Sequence, residues 1–302
     1  MKRITKLKLL AVYLLFCGLV TRGGEAAAQS YPNQWTDWEK PLIEQADSII
    51  KAGTSVSQEE AREQAAPNVG PVKLSLHQKK NEKRLSTPDL YRKVAAATVI
   101  MTDACLCDNC DQLHIFPATG YLISPEGVCV TNYHVLNYFM NRDGHFKPQA
   151  FVACMHDGRT LAVRKVLLAA PEYDLAILQL DTSNEKLPFL SLAEEAEIGD
   201  DAFIVSHPQG MYYTLSQGIV TGKQNIGFPT FDGKSTIGRD VMTISADFAT
   251  GSSGAAIVNT AGNVIGTVSA TRTLFHTGLP DKPVQMVVKT AIPVASLKKL
   301  IQ

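Results

Sequence analysis

The chain is 302 residues long, with 29 basic and 29 acidic residues, 45% hydrophobic residues and six cysteines. That length and apolar content suffice for one large or two small domains with a packed core. The balanced charge argues against a surface built to hold nucleic acid or an anionic membrane.

The first segment reads as an export signal. Lys2, Arg3, Lys6 and Lys8 precede an apolar run from Leu9 to Val20, and Ala26-Ala27-Ala28 supplies small residues for cleavage before Gln29. The run is shorter than the ~20 residues that span a bilayer, so no integral span is expected in the mature chain. Cleavage near Ala28/Gln29 leaves 24 basic and 28 acidic residues, and an exported, periplasmic or secreted protein.

Residues 29–85 form a polar, helix-prone extension. Trp38, Leu42, Ile43, Ala46 and Ile49/Ile50 recur at helical spacing between Asp37 and Lys51, and Gly53 is placed to end that helix. Ser57-Gln58-Glu59-Glu60 carries a capping box for a second, short helix that ends before Pro67. Residues 67–86 read as a linker, with a solvated basic run from Lys79 to Arg84. The two tryptophans, Trp35 and Trp38, lie in this extension and offer a surface for docking on the main domain or for self-association.

From Val94 onward the pattern becomes β. Short runs rich in Val, Ile, Thr, Phe and Tyr recur at 94–102, 115–124, 128–132, 149–154, 161–169, 174–180, 202–206, 214–222, 241–246, 255–258, 263–270 and 285–292. About twelve short strands without alternating long helices predict an all-β domain over 86–302. It would consist of two six-stranded antiparallel barrels, about 92–190 and 198–293. A helix from Val294 to Ile301 closes the chain.

Three residues on this framework carry chemistry together. His134 lies in Thr131-Asn132-Tyr133-His134-Val135, Asp174 opens Asp174-Leu175-Ala176-Ile177-Leu178, and Ser253 sits in Gly251-Ser252-Ser253-Gly254-Ala255. A serine hydroxyl attacks a carbonyl only when a base takes its proton and a third group fixes that base. His134 and Asp174 fall in the first set of strands and Ser253 in the second, so two barrels meeting at a cleft would bring them together. Taken alone, each is an ordinary structural residue; together and in this order they point to acyl transfer, with peptide-bond hydrolysis foremost.

The motifs also carry a resemblance. Ala118-Thr119-Gly120-Tyr121-Leu122-Ile123-Ser124, the His134 segment, the Asp174 segment, Ser216-Gln217-Gly218-Ile219-Val220-Thr221-Gly222, the Ser253 loop and Ala291-Ile292-Pro293 follow one another in sequence. In these the chain from about Ser86 to Gln302 resembles trypsin-like serine peptidases, nearest the HtrA/Deg type of bacterial enzyme. The resemblance implies a chymotrypsin fold, with Ser253 rather than Ser252 as nucleophile because glycines stand two before and one after it. It implies His134 as general base and then acid, Asp174 as its orienting group, and an oxyanion hole from the backbone N–H groups of Gly251 and Ser253. Asp247 stands six residues before Ser253, where enzymes for basic residues carry a pocket acid; a small or medium apolar preference fits as well. Ser269, Ala270 and Thr271 would pair with the substrate backbone. Chains of the HtrA/Deg type usually carry a PDZ domain, and none is expected before Gln302.

Cys105, Cys107, Cys110, Cys129 and Cys154 remain after signal removal. Export permits disulfides, while Cys105-Leu106-Cys107-Asp108-Asn109-Cys110 with His114 also offers thiol and zinc chemistry, at a spacing tighter than usual for zinc. A local disulfide, free thiols and a zinc site are all compatible with this pattern, and no metal or cofactor is assigned. The expected function is an exported serine endopeptidase acting on polypeptide substrates in envelope protein quality control or processing, with no nucleic-acid partner. The other class is a non-catalytic envelope scaffold on the same fold, using residues 29–85. A related expectation makes 29–85 an inhibitory pro-segment.

Overall fold

A computed structural model describes residues 31–76, 82–278 and 281–302, of which 34–302 form one compact unit. The export signal at 1–28 lies outside the described residues, as does part of the basic run at 79–84. No helix among the described residues is long and apolar enough to cross a membrane.

The first six strands of the ring come from the N-terminal half of the β region. These are β1 (Thr98–Cys107), β3 (Ala118–Leu122), β4 (Val128–Thr131), β5 (Phe146–Met155), β6 (Thr160–Ala170) and β7 (Leu175–Leu180). They pair in the order β1-β3-β4-β7-β6-β5, and β5 returns to β1 to close the ring. A further strand, β2 (Cys110–Ile115), folds back on β1 as a hairpin outside the ring. The second ring is a closed barrel of β8 (Asp201–Ser206), β9 (Thr214–Pro229), β10 (Thr236–Ile244), β11 (Ala256–Val258), β12 (Val264–Phe275) and β13 (Val284–Pro293). The interior of the first barrel packs Met101, Leu122, Leu136, Phe151 and Leu178, and that of the second packs Ile204, Met242, Ile257 and Val268. Tyr121 joins the two, its hydroxyl 2.8 Å from Thr267 Oγ1.

The extension is built into this body. A π-helical turn, Gln34–Glu39, leads into α1 (Lys40–Ala52), which ends at Gly53 with φ of +61°, the left-handed cap its spacing predicts. The capping box at Ser57 and Glu60 is present at the start of α2 (Gln58–Ala65). Residues 67–76 are packed rather than a free linker. Asn68 O accepts from Ala169 N (2.8 Å), and Val72 and Leu74 pair with the C-terminal residues Leu300 and Gln302. The alternating Val72, Leu74 and Leu76 have an apolar surface to cover, which outweighs the turn-rich composition around them.

One predicted strand is corrected. The 94–102 run splits into α3 (Thr87–Ala97) followed by β1. Ser86 caps the helix, Pro88 sits in its first turn, and Leu90 and Val94 are buried one turn apart. The run of alanines at 95–97 favours helix, and the β-branched Thr98-Val99-Ile100 favours strand. The closing helix, α5 (Val294–Lys299), is where the spacing predicts it.

Candidate active site

His134 stands in the first turn of α4 (Tyr133–Asn141), directly after β4. Extension residues hold the far end of this helix, where carbonyls lack intrahelical partners. Gln58 Nε2 donates to Phe139 O (2.8 Å) and Arg142 O (3.0 Å), and Arg62 donates to Met140 O. Asp174 lies in the tight turn before β7 with φ of +55°, a left-handed conformation Asp tolerates better than most residues.

The Asp174 carboxylate is buried and its contacts converge. Oδ1 accepts the His134 backbone N–H (3.0 Å) and faces Nδ1 at 3.0 Å, and Oδ2 lies 3.1 Å from Nδ1 and accepts Ser269 Oγ at 3.1 Å. Asn132 Nδ2 donates to the Asp174 carbonyl at 3.0 Å. This leaves imidazole Nε2 on the side away from the carboxylate.

A cavity of about 440 Å³ opens there, lined among others by His134, Gly251, Ser253, Gln209, Phe116 and Tyr138. No hydrogen bond joins Ser253 Oγ to His134 among the described residues, and the two side chains share this cavity. Gly251 has φ of +96°, and a Cβ on it would lie 2.3 Å from His207 O. Gly254 has φ of +84°, and its Cβ would lie 2.2 Å from Thr119 O and 2.3 Å from Thr131 Oγ1. Both positions therefore require glycine. The first barrel grips the loop, since Thr119 N donates to Ser253 O (2.9 Å) and Thr119 Oγ1 to Gly251 O (2.7 Å). Among the described residues the backbone N–H groups of Gly251 and Ser253 donate to nothing. Ser252 is buried, and its Oγ accepts from Ser206 at 3.0 Å, which separates its role from that of its neighbour.

Of the other expected residues, Ser269 bonds Asp174, while Ala270 and Thr271 are exposed on β12. β11 accompanies β12 only over Val264–Thr267, whereas β13 follows it to Phe275, so the β11-side edge from Ser269 onward has no strand partner among the described residues. Asp247 is 89% exposed and ion-paired with Lys289 of β13, whose own side chain is only 16% exposed.

Of the further contributors around these residues, Arg239 and His207 carry no signal in the sequence, whereas Trp38 does. Arg239 of β10 is buried and donates to Pro171 O and Glu172 O, both at 2.9 Å, so the second barrel clamps the turn that carries Asp174. His207 is fully buried below the serine loop. Burial holds its imidazole neutral, down to about 3, and its Nδ1 accepts Tyr213 N–H at 3.0 Å. Beside it Gln209 N donates to Thr250 O (2.8 Å), fixing the peptide before Gly251. Trp38 of the extension packs on Tyr213 (centroids 4.9 Å) and Tyr212 (6.1 Å), while Glu39 accepts the Tyr212 hydroxyl at 3.0 Å. A buried arginine on distant carbonyls leaves no local signal; Trp38 was the visible hint of docking.

Residues 118–266 match the family model of the trypsin-like peptidase domain. A probable periplasmic serine endoprotease, DegP-like, of Chlamydia trachomatis is 29% identical over 156 residues, which are 50% of this chain and 28% of that protein. A DegP-like protein of Brucella suis is 30% identical over 151 residues, covering 49% of this chain and 26% of the relative. The chloroplastic protease Do-like 5 of Arabidopsis thaliana is 28% identical over 180 residues, 57% of this chain and 55% of its own length. Two solved structures share the fold, each with a TM-score of 0.53: a protease of M. tuberculosis in its active form, and the HtrA-type protease AlgW with a tripeptide. They are 20% and 22% identical to this chain and cover 76% and 71% of it, which is 90% and 62% of their own lengths. The fold is that of the trypsin-like peptidases. Residues 118–266 thus carry the trypsin-like peptidase domain, and over about half its length the chain is similar to serine proteases of the DegP/HtrA type.

Proposed function

We propose that the protein is an exported serine endopeptidase that hydrolyses peptide bonds through Ser253, His134 and Asp174. The carrying observation is that His134, held on Asp174 through Nδ1, shares one cavity with Ser253 and with two undirected backbone N–H groups. Ser253 Oγ attacks the scissile carbonyl while His134 Nε2 takes its proton, a contact that tightens when substrate binds. The N–H groups of Gly251 and Ser253 receive the developing oxyanion. His134 then returns the proton to the leaving amine. Water, deprotonated by the same imidazole, hydrolyses the acyl-enzyme and restores Ser253. Asp174 holds the imidazole tautomer and stabilises its protonated form.

The free edge of β12 at Ser269, Ala270 and Thr271 supports substrate addition as a further antiparallel strand. Asp247 serves as an acid for a basic side chain only if Lys289 releases it. The ion pair therefore favours uncharged, small or medium apolar side chains before the cleaved bond. The apolar run at 9–20 and the periplasmic relatives support action on polypeptides in the cell envelope. The packing of the extension against α4 and the 207–213 loop favours a supporting role over a released pro-segment.

A peptide-library cleavage profile tests this reading, with Ser253→Ala as control and Lys289→Met as a specificity variant. We expect cleavage by the native chain, none by Ser253→Ala, and a gain of cleavage after Arg or Lys in Lys289→Met. Equal cleavage by folded Ser253→Ala would refute the catalytic assignment; an unchanged Lys289→Met profile would refute the specificity argument alone.

A further inference from the structure

The β1–β2 hairpin tip brings together three side chains that the peptidase reading does not use. Asp108 and Asn109 form its two-residue turn, so Cys107 and Cys110 face each other as a cross-strand pair. His114 follows on β2 four residues after Cys110, the separation that returns a strand residue to the same face. One ligand atom from each of Cys107, Cys110 and His114 lies within 4.8 Å of the other two. Cys110 Sγ is 3.1 Å from His114 Nε2.

We propose that Cys107, Cys110 and His114 form a binding site for a thiophilic divalent cation of the zinc type. A tetrahedral zinc ion with bonds of about 2.3 Å to sulfur and about 2.0–2.1 Å to nitrogen needs ligand atoms roughly 3.5–3.8 Å apart. The cluster reaches that arrangement through side-chain adjustments of about an ångström. Binding releases two thiol protons to solvent, takes the neutral imidazole through Nε2, and leaves a fourth position to water on the exposed side of Cys110.

The surroundings fit that use. Asn109 N–H donates to Cys107 Sγ at 3.3 Å, a bond that supports negative charge on the sulfur. The turn is anchored by the Asp108–Lys147 ion pair at 2.5 Å, and the His114 ring packs edge-on to Phe146 with centroids 5.3 Å apart. A disulfide between Cys107 and Cys110 would use neither the imidazole nor the N–H···S bond. Cys105, two residues away, behaves differently. It is buried, its Sγ lies 3.6 Å from Asp103 Oδ2, and it is not among the side chains that converge at the tip.

β2 runs from this tip to Ile115, and Ile115, Phe116 and Pro117 line the His134 and Ser253 cavity. An ion at the tip therefore fastens the outer end of one wall of that cavity.

The test uses the mature chain, purified reduced and free of metal, titrated with Co²⁺ and then with Zn²⁺. We expect one equivalent of Co²⁺ to give a thiolate-to-cobalt charge-transfer band, and one equivalent of Zn²⁺ to displace it. Cys107→Ser and Cys110→Ser should lose the band, and His114→Ala should bind at least tenfold more weakly. Cys105→Ser should bind like the native chain. The exposed hairpin keeps these variants foldable, and intact fluorophosphonate labelling would verify it. The proposal is overturned if the reduced native chain gives no band, or if His114→Ala binds with native affinity. It is also overturned if protein recovered from the cell envelope in the presence of zinc carries a Cys107–Cys110 disulfide and no metal.

Discussion

The two halves of the candidate site are built by different means. The His134–Asp174 half is held by side chains, with one buried carboxylate taking bonds from a backbone N–H, an imidazole and the Ser269 hydroxyl. The Ser253 half is held by backbone, through glycines at φ of +96° and +84° with no room for a Cβ, and through carbonyls bonded to Thr119. The first half fails when a functional group is removed. The second fails when an atom is added.

That contrast is open to attack, and the largest effect is expected in the side-chain half. Asp174→Asn should lower kcat by about 10⁴, because the amide can hold His134 in the wrong tautomer. Near-native kcat would show that the carboxylate does not orient the base. In the backbone half, Gly251→Ala should lower kcat by roughly 10²–10³ through displacement of one oxyanion donor, since the added methyl meets His207 O. If the variant keeps native kcat with native stability, the steric account of the loop is wrong.

Arg239→Ala sharpens the comparison across the barrel interface. It leaves every group of the His134–Asp174 half in place but frees the Pro171 and Glu172 carbonyls that set the Asp174 turn. We expect kcat to fall about tenfold with KM little changed, through loss of the clamp on the turn and of the guanidinium charge near Asp174. A change in KM alone would instead place Arg239 on the substrate path.

The smallest effect concerns pH. His207 titrates near 6.5 when unfolded and is held down to about 3 when folded. The unfolded chain therefore binds the extra proton between those values, so this contribution is complete above about pH 6.5 and lost as pH falls. The slope is about 1.4 kcal/mol per pH unit at most. His207→Gln, which keeps an acceptor for Tyr213 N–H, should show a shallower decline in urea stability from pH 7 to 4. Parallel declines in the two proteins would remove His207 from the acid sensitivity.

Much of the double barrel is legible in the sequence because its strands carry β-branched residues between turn signals. The short β2 strand is not, since Cys110-Asp111-Gln112 are exposed and give no apolar alternation. α3 was hidden because Val94 and Thr98–Ile100 suit a strand while its Ser86 cap and alanines suit a helix. The His134, Asp174 and Ser253 motifs stand out because side-chain identity and flanking glycines are local features. Arg239 and the Thr119 grip act on carbonyls contributed by residues far apart in sequence, and no local pattern announces them. The ends of β9 and β10 run past their predicted bounds as a paired, largely exposed ribbon, where pairing rather than burial defines the strand.

The central claim is that Ser253 is a nucleophile activated by the His134–Asp174 pair. Covalent labelling of the folded mature chain by a fluorophosphonate, with the modified residue mapped by peptide mass spectrometry, tests it most directly. The account predicts one label per chain on Ser253, absent in Ser253→Ala and at least a hundredfold slower in His134→Ala. Labelling on Ser252, equal labelling of Ser253→Ala, or no labelling of folded protein would contradict it.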